Sequence, residues 1–198
     1  KIVASGGNYK KIRLTFQEYF KRLGEDKTRW GQPVAALLGA YQAQIGFGLA
    51  SIGGKDSMSG TFNDIDVPPT LVSFAVDVAN VKNVITPELK KPGNRLIRLC
   101  LPTDAYDLPV YVEVKKIYKQ IHKLIKKGQI KSAYAIGAGG TMEAVAKMAF
   151  GNGYGVKFDE EVTLSDLTDP RFGSFVVEMD SRDIHKLGIP GLLLGEII

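Results

Sequence analysis

The stretch Gly53-Gly54-Lys55-Asp56-Ser57-Met58-Ser59-Gly60 sets a cation, a carboxylate and two hydroxyls between glycines. Glycine lets backbone N–H groups converge on an anion, and a lysine supplies the countercharge, so such a stretch can hold phosphate. Magnesium asks for a carboxylate and accepts hydroxyl or water oxygens, which Asp56, Ser57 and Ser59 offer. The spacing is not that of a P-loop, because Gly48 lies one residue too far back and Asp56 stands where the hydroxyl belongs. Gly, Asp and Ser are also common turn formers, so on the residues alone a plain turn stands beside the phosphate-and-metal site.

A second glycine cluster, Ile136-Gly137-Ala138-Gly139-Gly140-Thr141, falls where a strand pattern gives way to a helix pattern. A helix N-terminus bare of side chains can take an anion, and the same glycines allow close strand–helix packing; both readings stand. Asp64 and Asp66 form a carboxylate pair, but Val67-Pro68-Pro69 behind them points to a turn. His122 sits among lysines and His185 in a short connection, and neither has a serine, cysteine or second ligand at a useful spacing. The single cysteine, Cys100, ends the alternating run Arg95-Leu96-Ile97-Arg98-Leu99 and reads as a buried strand thiol rather than a nucleophile.

These groups need elements to hold them. Phe16, Tyr19, Phe20 and Leu23 recur at helical spacing, with Thr15 and Glu18 placed as a capping box. Val34, Leu37, Leu38, Tyr41 and Ile45 mark a second amphipathic helix, with Pro33 near its start and Gly46 and Gly48 ending it. A short apolar run over 49–52 leads into the glycine loop, and residues 71–78 read as a strand. Pro87, Pro92 and Gly93 suggest a linker near 86–94. Beyond it, strands near 95–101, 131–136, 155–158, 174–179 and 192–197 interleave with helices near 109–127 and 142–150. This alternation predicts an α/β, or α+β, layered fold, with a second pattern beginning beyond the linker; one domain or two small ones both stand. The helix at 109–127 buries Val110, Val114, Ile117, Ile121, Leu124 and Ile125. Its lysines form a solvated face rather than a nucleic-acid stripe, since no aromatic platform accompanies them.

The chain of 198 residues carries a formal charge of +5 and a pI near 9.2, which permits a phosphate-bearing ligand without implying nucleic acid. One cysteine excludes an internal disulfide framework and fits a reducing cytoplasm. No apolar run approaches the roughly 20 residues that span a bilayer, so no membrane partner is expected. The chain opens at Lys1-Ile2-Val3-Ala4 and closes on a strand-like run, which suggests a piece of a longer polypeptide.

Taken in order, Ile52 through Phe62, then Asp64-Ile65-Asp66-Val67-Pro68-Pro69-Thr70-Leu71-Val72-Ser73-Phe74, closely resemble phosphoribosylformylglycinamidine synthase in its long bacterial form. Val3-Ala4-Ser5-Gly6-Gly7-Asn8 and Thr15-Phe16-Gln17-Glu18-Tyr19-Phe20 resemble the same family. The resemblance implies a domain pair built like aminoimidazole ribonucleotide synthetase, with a partial N-terminal sheet domain over 1–90 and a C-terminal α/β domain over 91–198. It places this chain in the second half of the synthetase region, beside a first synthetase half and a glutaminase domain that hold the catalytic residues, so none is expected here. The reaction implied takes formylglycinamide ribonucleotide, ATP and glutamine to formylglycinamidine ribonucleotide, ADP, phosphate and glutamate.

Carried onto this chain, the resemblance implies that Gly54 and Lys55 approach nucleotide phosphates, Asp56 meets Mg2+, and Ser57 and Ser59 bond substrate or phosphate oxygens. Gly137, Gly139 and Gly140 would face an auxiliary nucleotide. Relatives carry His-Asp a few residues before the paired glycines, however, whereas this chain has Tyr134-Ala135, so weak or no ADP binding is expected there. Two other implications remain beside this one. Selenophosphate synthetase and thiamine-monophosphate kinase share the architecture with different chemistry, and the chain could serve as a non-catalytic half. Strand edges left open in the first domain would favour pairing with a second copy as a homodimer.

Overall fold

The computed structural model describes residues 1–198, and the chain divides into two compact units, 10–77 and 1–9 with 78–198. In the first unit, β1 (Arg13–Tyr19) lies between β2 (Ser51–Lys55) and β5 (Thr70–Val76). A short hairpin, β3 (Thr61–Phe62) and β4 (Ile65–Asp66), precedes β5. Residues 16–19, expected to open a helix, form a strand instead. β1 pairs antiparallel with β5 over its whole length, from Arg13↔Val76 to Tyr19↔Thr70, and seven residues of pairing outweigh a local helical spacing.

The helix α1 (Lys27–Phe47) starts earlier than Pro33 because Asp26 caps it, accepting from the Thr28 N–H at 2.9 Å. It stops at Gly48, whose φ of 70° gives the left-handed C-cap that glycine tolerates. Its apolar residues Trp30, Leu37, Tyr41 and Ile45 are 53–66% exposed, so three strands do not cover the expected amphipathic face.

The second unit is built on a five-stranded antiparallel sheet in the order β7-β9-β6-β10-β8. Its strands are β6 (Arg95–Leu99), β7 (Ile130–Ala135), β8 (Val156–Phe158), β9 (Phe175–Met179) and β10 (Leu192–Ile197). The helices are α2 (Tyr111–Lys126), α3 (Gly140–Phe150) and the short α4 (Leu164–Thr168). α2 buries Val114, Ile117, Ile121, Leu124 and Ile125, as the heptad-like spacing predicts. A core of Leu89, Leu96, Ile136, Val145, Met148, Val176 and Leu194 joins α3 to the sheet. The N-terminal residues belong to this unit: Tyr9 meets Tyr118 edge-on, and Tyr118 meets Phe175 at 5.5 Å.

All five residues of β9 are buried, including Glu178 at 0% exposure. Its carboxylate accepts from the Lys90 N–H (2.8 Å), the Lys91 N–H (3.2 Å), Asn94 Nδ2 (2.6 Å) and Ser132 Oγ (2.7 Å). The segment 86–94, expected as a linker, is therefore fastened to the sheet, with Leu89 fully buried and the Gly93 N–H donating to the Ile197 carbonyl. Elsewhere Arg98, on β6, donates to the backbone carbonyl and carboxylate of Asp166. Asp166 also closes a capping box with Thr163 at the start of α4.

Glu178→Ala leaves four donors without their acceptor, and chemical denaturation should show a loss of about 3 kcal/mol, since one orphaned buried group costs roughly 1–3. The Thr163 donors, with Arg98 behind them, hold the Asp166 carboxyl from 3.8 down to about 2. A depressed carboxyl stabilises the fold above its unfolded value, and that contribution is lost as pH falls from about 3.8 toward 2. Asp166→Asn should therefore flatten this part of the acid-unfolding curve.

Candidate functional site

Gly53, Gly54 and Lys55 are the end of β2 rather than a loop, and the irregular stretch begins at Asp56. β2 runs parallel to β1 with Phe16 opposite Gly54 and Gln17 opposite Lys55. A side chain at Gly54 would place its Cβ 2.5 Å from the Phe16 carbonyl oxygen, so glycine is what lets the strands close here. The following loop is sewn to the end of β1: the Phe20 N–H donates to the Ser57 carbonyl and the Gly60 N–H to the Phe20 carbonyl, both at 2.8 Å. Val67 then donates to the Gly60 carbonyl at 2.7 Å, and its side chain fills the space a Cβ on Gly60 would need.

Lys55 Nζ donates to Ser57 Oγ at 2.9 Å and to the Asp56 carbonyl at 3.3 Å. Lys55, Asp56 and Ser57 thus form one polar cluster at the end of β2, while Ser59 is exposed further along the loop. A cleft of about 290 Å³ opens beside it, lined by Phe16, Glu18, Leu37, Lys55, Asp56 and Leu71. Burial pushes the Glu18 carboxyl above its ordinary value, and the Asp56 charge adds to the shift. A second hollow of about 330 Å³ also meets Lys55 and is walled by Thr15, Gln17, Ile52 and Phe74. Two carboxylates, a hydroxyl and an ammonium around one cleft are the groups that a divalent cation and a phosphorylated ligand together require.

Glu18 is the site residue that sequence reasoning passed over, having been placed in a helical cap. Its signal was the period-two alternation of Leu14, Phe16 and Glu18, which sets Glu18 on the Phe16 side of β1. The glycines 137–140 lie at the start of α3, where the Gly139 N–H donates to Glu143 Oε2 at 2.8 Å. Asp66 accepts from Thr61 Oγ1 and pairs with Arg29 at 3.2 Å, and Asn63 turns the β3–β4 hairpin with φ 54°, so this acidic pair is structural. His122 is half-buried rather than on an open surface, with Nδ1 3.0 Å from the Gly6 carbonyl. Cys100 lies one residue past β6 and is only half-buried, because the strand ends at Leu99. No group of three or more His, Cys, Asp or Glu is placed to hold a metal, and no helix is long and apolar enough to cross a membrane.

Residues 103–182 match the family model for the AIR synthase related protein, C-terminal domain. The whole chain superposes on Thermotoga maritima PurL complexed with AMPPCP, with a TM-score of 0.71 and 14% identity, covering 35% of that chain. It also superposes on phosphoribosylformylglycinamidine synthase II from the same organism, with a TM-score of 0.70 and 13% identity, again over 35% of that chain. The C-terminal part is AIR synthase-like. Escherichia coli HypE, a hydrogenase maturation protein, fits as well, with a TM-score of 0.71 and 13% identity over 99% of this chain and 69% of that one. The mixed α/β layering read from the sequence is thus the fold shared with PurL and HypE, and the chain spans about a third of the PurL chains that it matches.

A carboxyl raised in the folded state makes its ionised form unfavourable, so it lowers stability as pH rises through its unfolded value. Glu18→Gln should therefore raise Tm at neutral pH in metal-free buffer. Asp56→Asn should bring the Glu18 midpoint down, which carboxyl-carbon NMR titration measures directly.

Proposed function

We propose that this chain is part of a cytoplasmic ATP-dependent carbon–nitrogen ligase of purine biosynthesis. The reaction converts formylglycinamide ribonucleotide to formylglycinamidine ribonucleotide with ammonia from glutamine. The observation that carries the reading is the cluster of Lys55, Asp56 and Ser57, held at the end of β2 beside Glu18. Solved structures of T. maritima PurL are described as complexes with ATP, ADP and FGAR, which supports a nucleotide and a phosphorylated substrate for this chain as well.

The residues fit a magnesium nucleotide. Asp56 would hold Mg2+, and Glu18 lines the same cleft with a carboxyl whose unfavourable ionisation a cation would relieve. Magnesium, when bound, would neutralise charge on the phosphates. Lys55, whose ammonium bonds Ser57, would supply positive charge to those phosphates, and the Gly54 backbone would approach them. Ser57 and Ser59 offer hydroxyls to substrate or phosphate oxygens. The first synthetase half and the glutaminase domain would be the partners within the longer protein.

HypE matches the chain equally well, and this favours a second reading, in which the same fold serves another phosphoryl-transfer reaction. Glutamine- and ATP-dependent amidation by the protein that carries this chain decides between them. The proposed reading expects turnover in the wild type and a loss of at least about 100-fold in Asp56→Ala, the scale of removing one group that stabilises transition-state charge. The melting temperature should not fall, since removing the Asp56 charge eases the Glu18 ionisation. Absence of amidation in the wild type supports the second reading, and full activity in Asp56→Ala makes the loop a turn only.

A further inference from the structure

The turn before α3 is where the resemblance puts an auxiliary nucleotide, and the residues present there do not fit one. The Gly139 N–H, the donor a phosphate would take, is already bonded to Glu143 Oε2 at 2.8 Å. The other carboxylate oxygen is held by Lys147, one helical turn further on, and Lys147 Nζ lies 5.8 Å from the centre of the Tyr134 ring. The Lys147 hydrogen bond, followed by that from Gly139, holds the Glu143 carboxyl below its ordinary value, so it is an anion at neutral pH. Tyr134 and Ala135 stand where the resemblance expects a histidine and a metal-binding aspartate.

The glycines themselves are accounted for within the chain. A Cβ on Gly139 would lie 2.6 Å from Glu143 Cβ and 2.7 Å from its Oε2, so Gly139 makes room for this carboxylate. Gly140 has φ +68°, and a Cβ there would meet the Leu167 and Thr168 carbonyl oxygens at 2.7 Å, so it makes room for α4.

We infer that Glu143 is itself the anion of this turn: the chain fills the N-terminus of α3 with its own carboxylate and closes it to phosphate. The negative charge that the helix end favours is supplied covalently, four residues away, and neutralised by Lys147. A phosphate brought to Gly139 would have to displace this carboxylate or sit against it, like charge against like charge. The second unit then serves as a scaffold at this end, whatever reaction the cluster at Lys55 supports.

The test follows the Gly139 amide of the full chain by NMR. In the wild type, adding inorganic phosphate or Mg·ADP should leave its resonance in place. In Glu143→Ala its hydrogen exchange should quicken by at least about tenfold, the amide having lost its acceptor. Glu143→Gln keeps an acceptor oxygen and should preserve most of the protection, which separates loss of this bond from a general loss of fold. A saturable shift of the wild-type Gly139 amide with Mg·ADP overturns the inference, as does exchange that is unchanged in Glu143→Ala. Neither readout depends on amidation, so the inference and the proposed reaction fail separately.

Discussion

A carboxyl group with no exposed surface must have its oxygens met by donors, and the second unit is organised around meeting Glu178. Its partners come from the backbone at Lys90 and Lys91, from Asn94 and from Ser132. That requirement pins the proline- and glycine-bearing segment 86–94 to β9 and ties β7 to β9 through side chains as well as through the ladder. It also fixes Leu89 against α3, where its N–H reaches the Met148 carbonyl. The buried carboxyl group of Glu178 thereby restricts how this segment and the sheet can pack.

In the first unit the comparable constraint is backbone proximity. β2 runs parallel to β1 and close enough that only glycine fits opposite Phe16, which delivers Lys55 to the strand end. The three hydrogen bonds through Phe20, Gly60 and Val67 then hold the loop by its backbone, and the side chains of Asp56 and Ser57 take no part in them. Such a site rests on strands rather than on the loop alone, which keeps its geometry defined.

The two glycine clusters look alike in sequence and differ in what they approach. At Gly54 the neighbour is a strand backbone, beside a cleft that remains open. At Gly139 the neighbour is a carboxylate four residues away, and the space a ligand would want is taken. Glycine content reports close approach, and the identity of the approaching group decides between cradle and closed turn.

By itself the sequence determined the five strands and the two long helices of the second unit, because they bury continuous apolar periodicities, while the short α4 was missed. It also determined Lys55, Asp56 and Ser57 as a chemical group, since their proximity is covalent. It did not determine that residues 16–19 form a strand, because the helical spacing of Phe16, Tyr19 and Phe20 is local while the β5 partners lie more than fifty residues away. Glu18 followed from that pairing: only a strand brings its carboxyl into the cleft with Asp56. Cys100 and the 86–94 segment were decided in the same way, by where β6 stops and by what Glu178 requires. Tertiary structure settled those points because sheet partners and buried charges are matched between residues far apart in the chain, where local pattern carries no information.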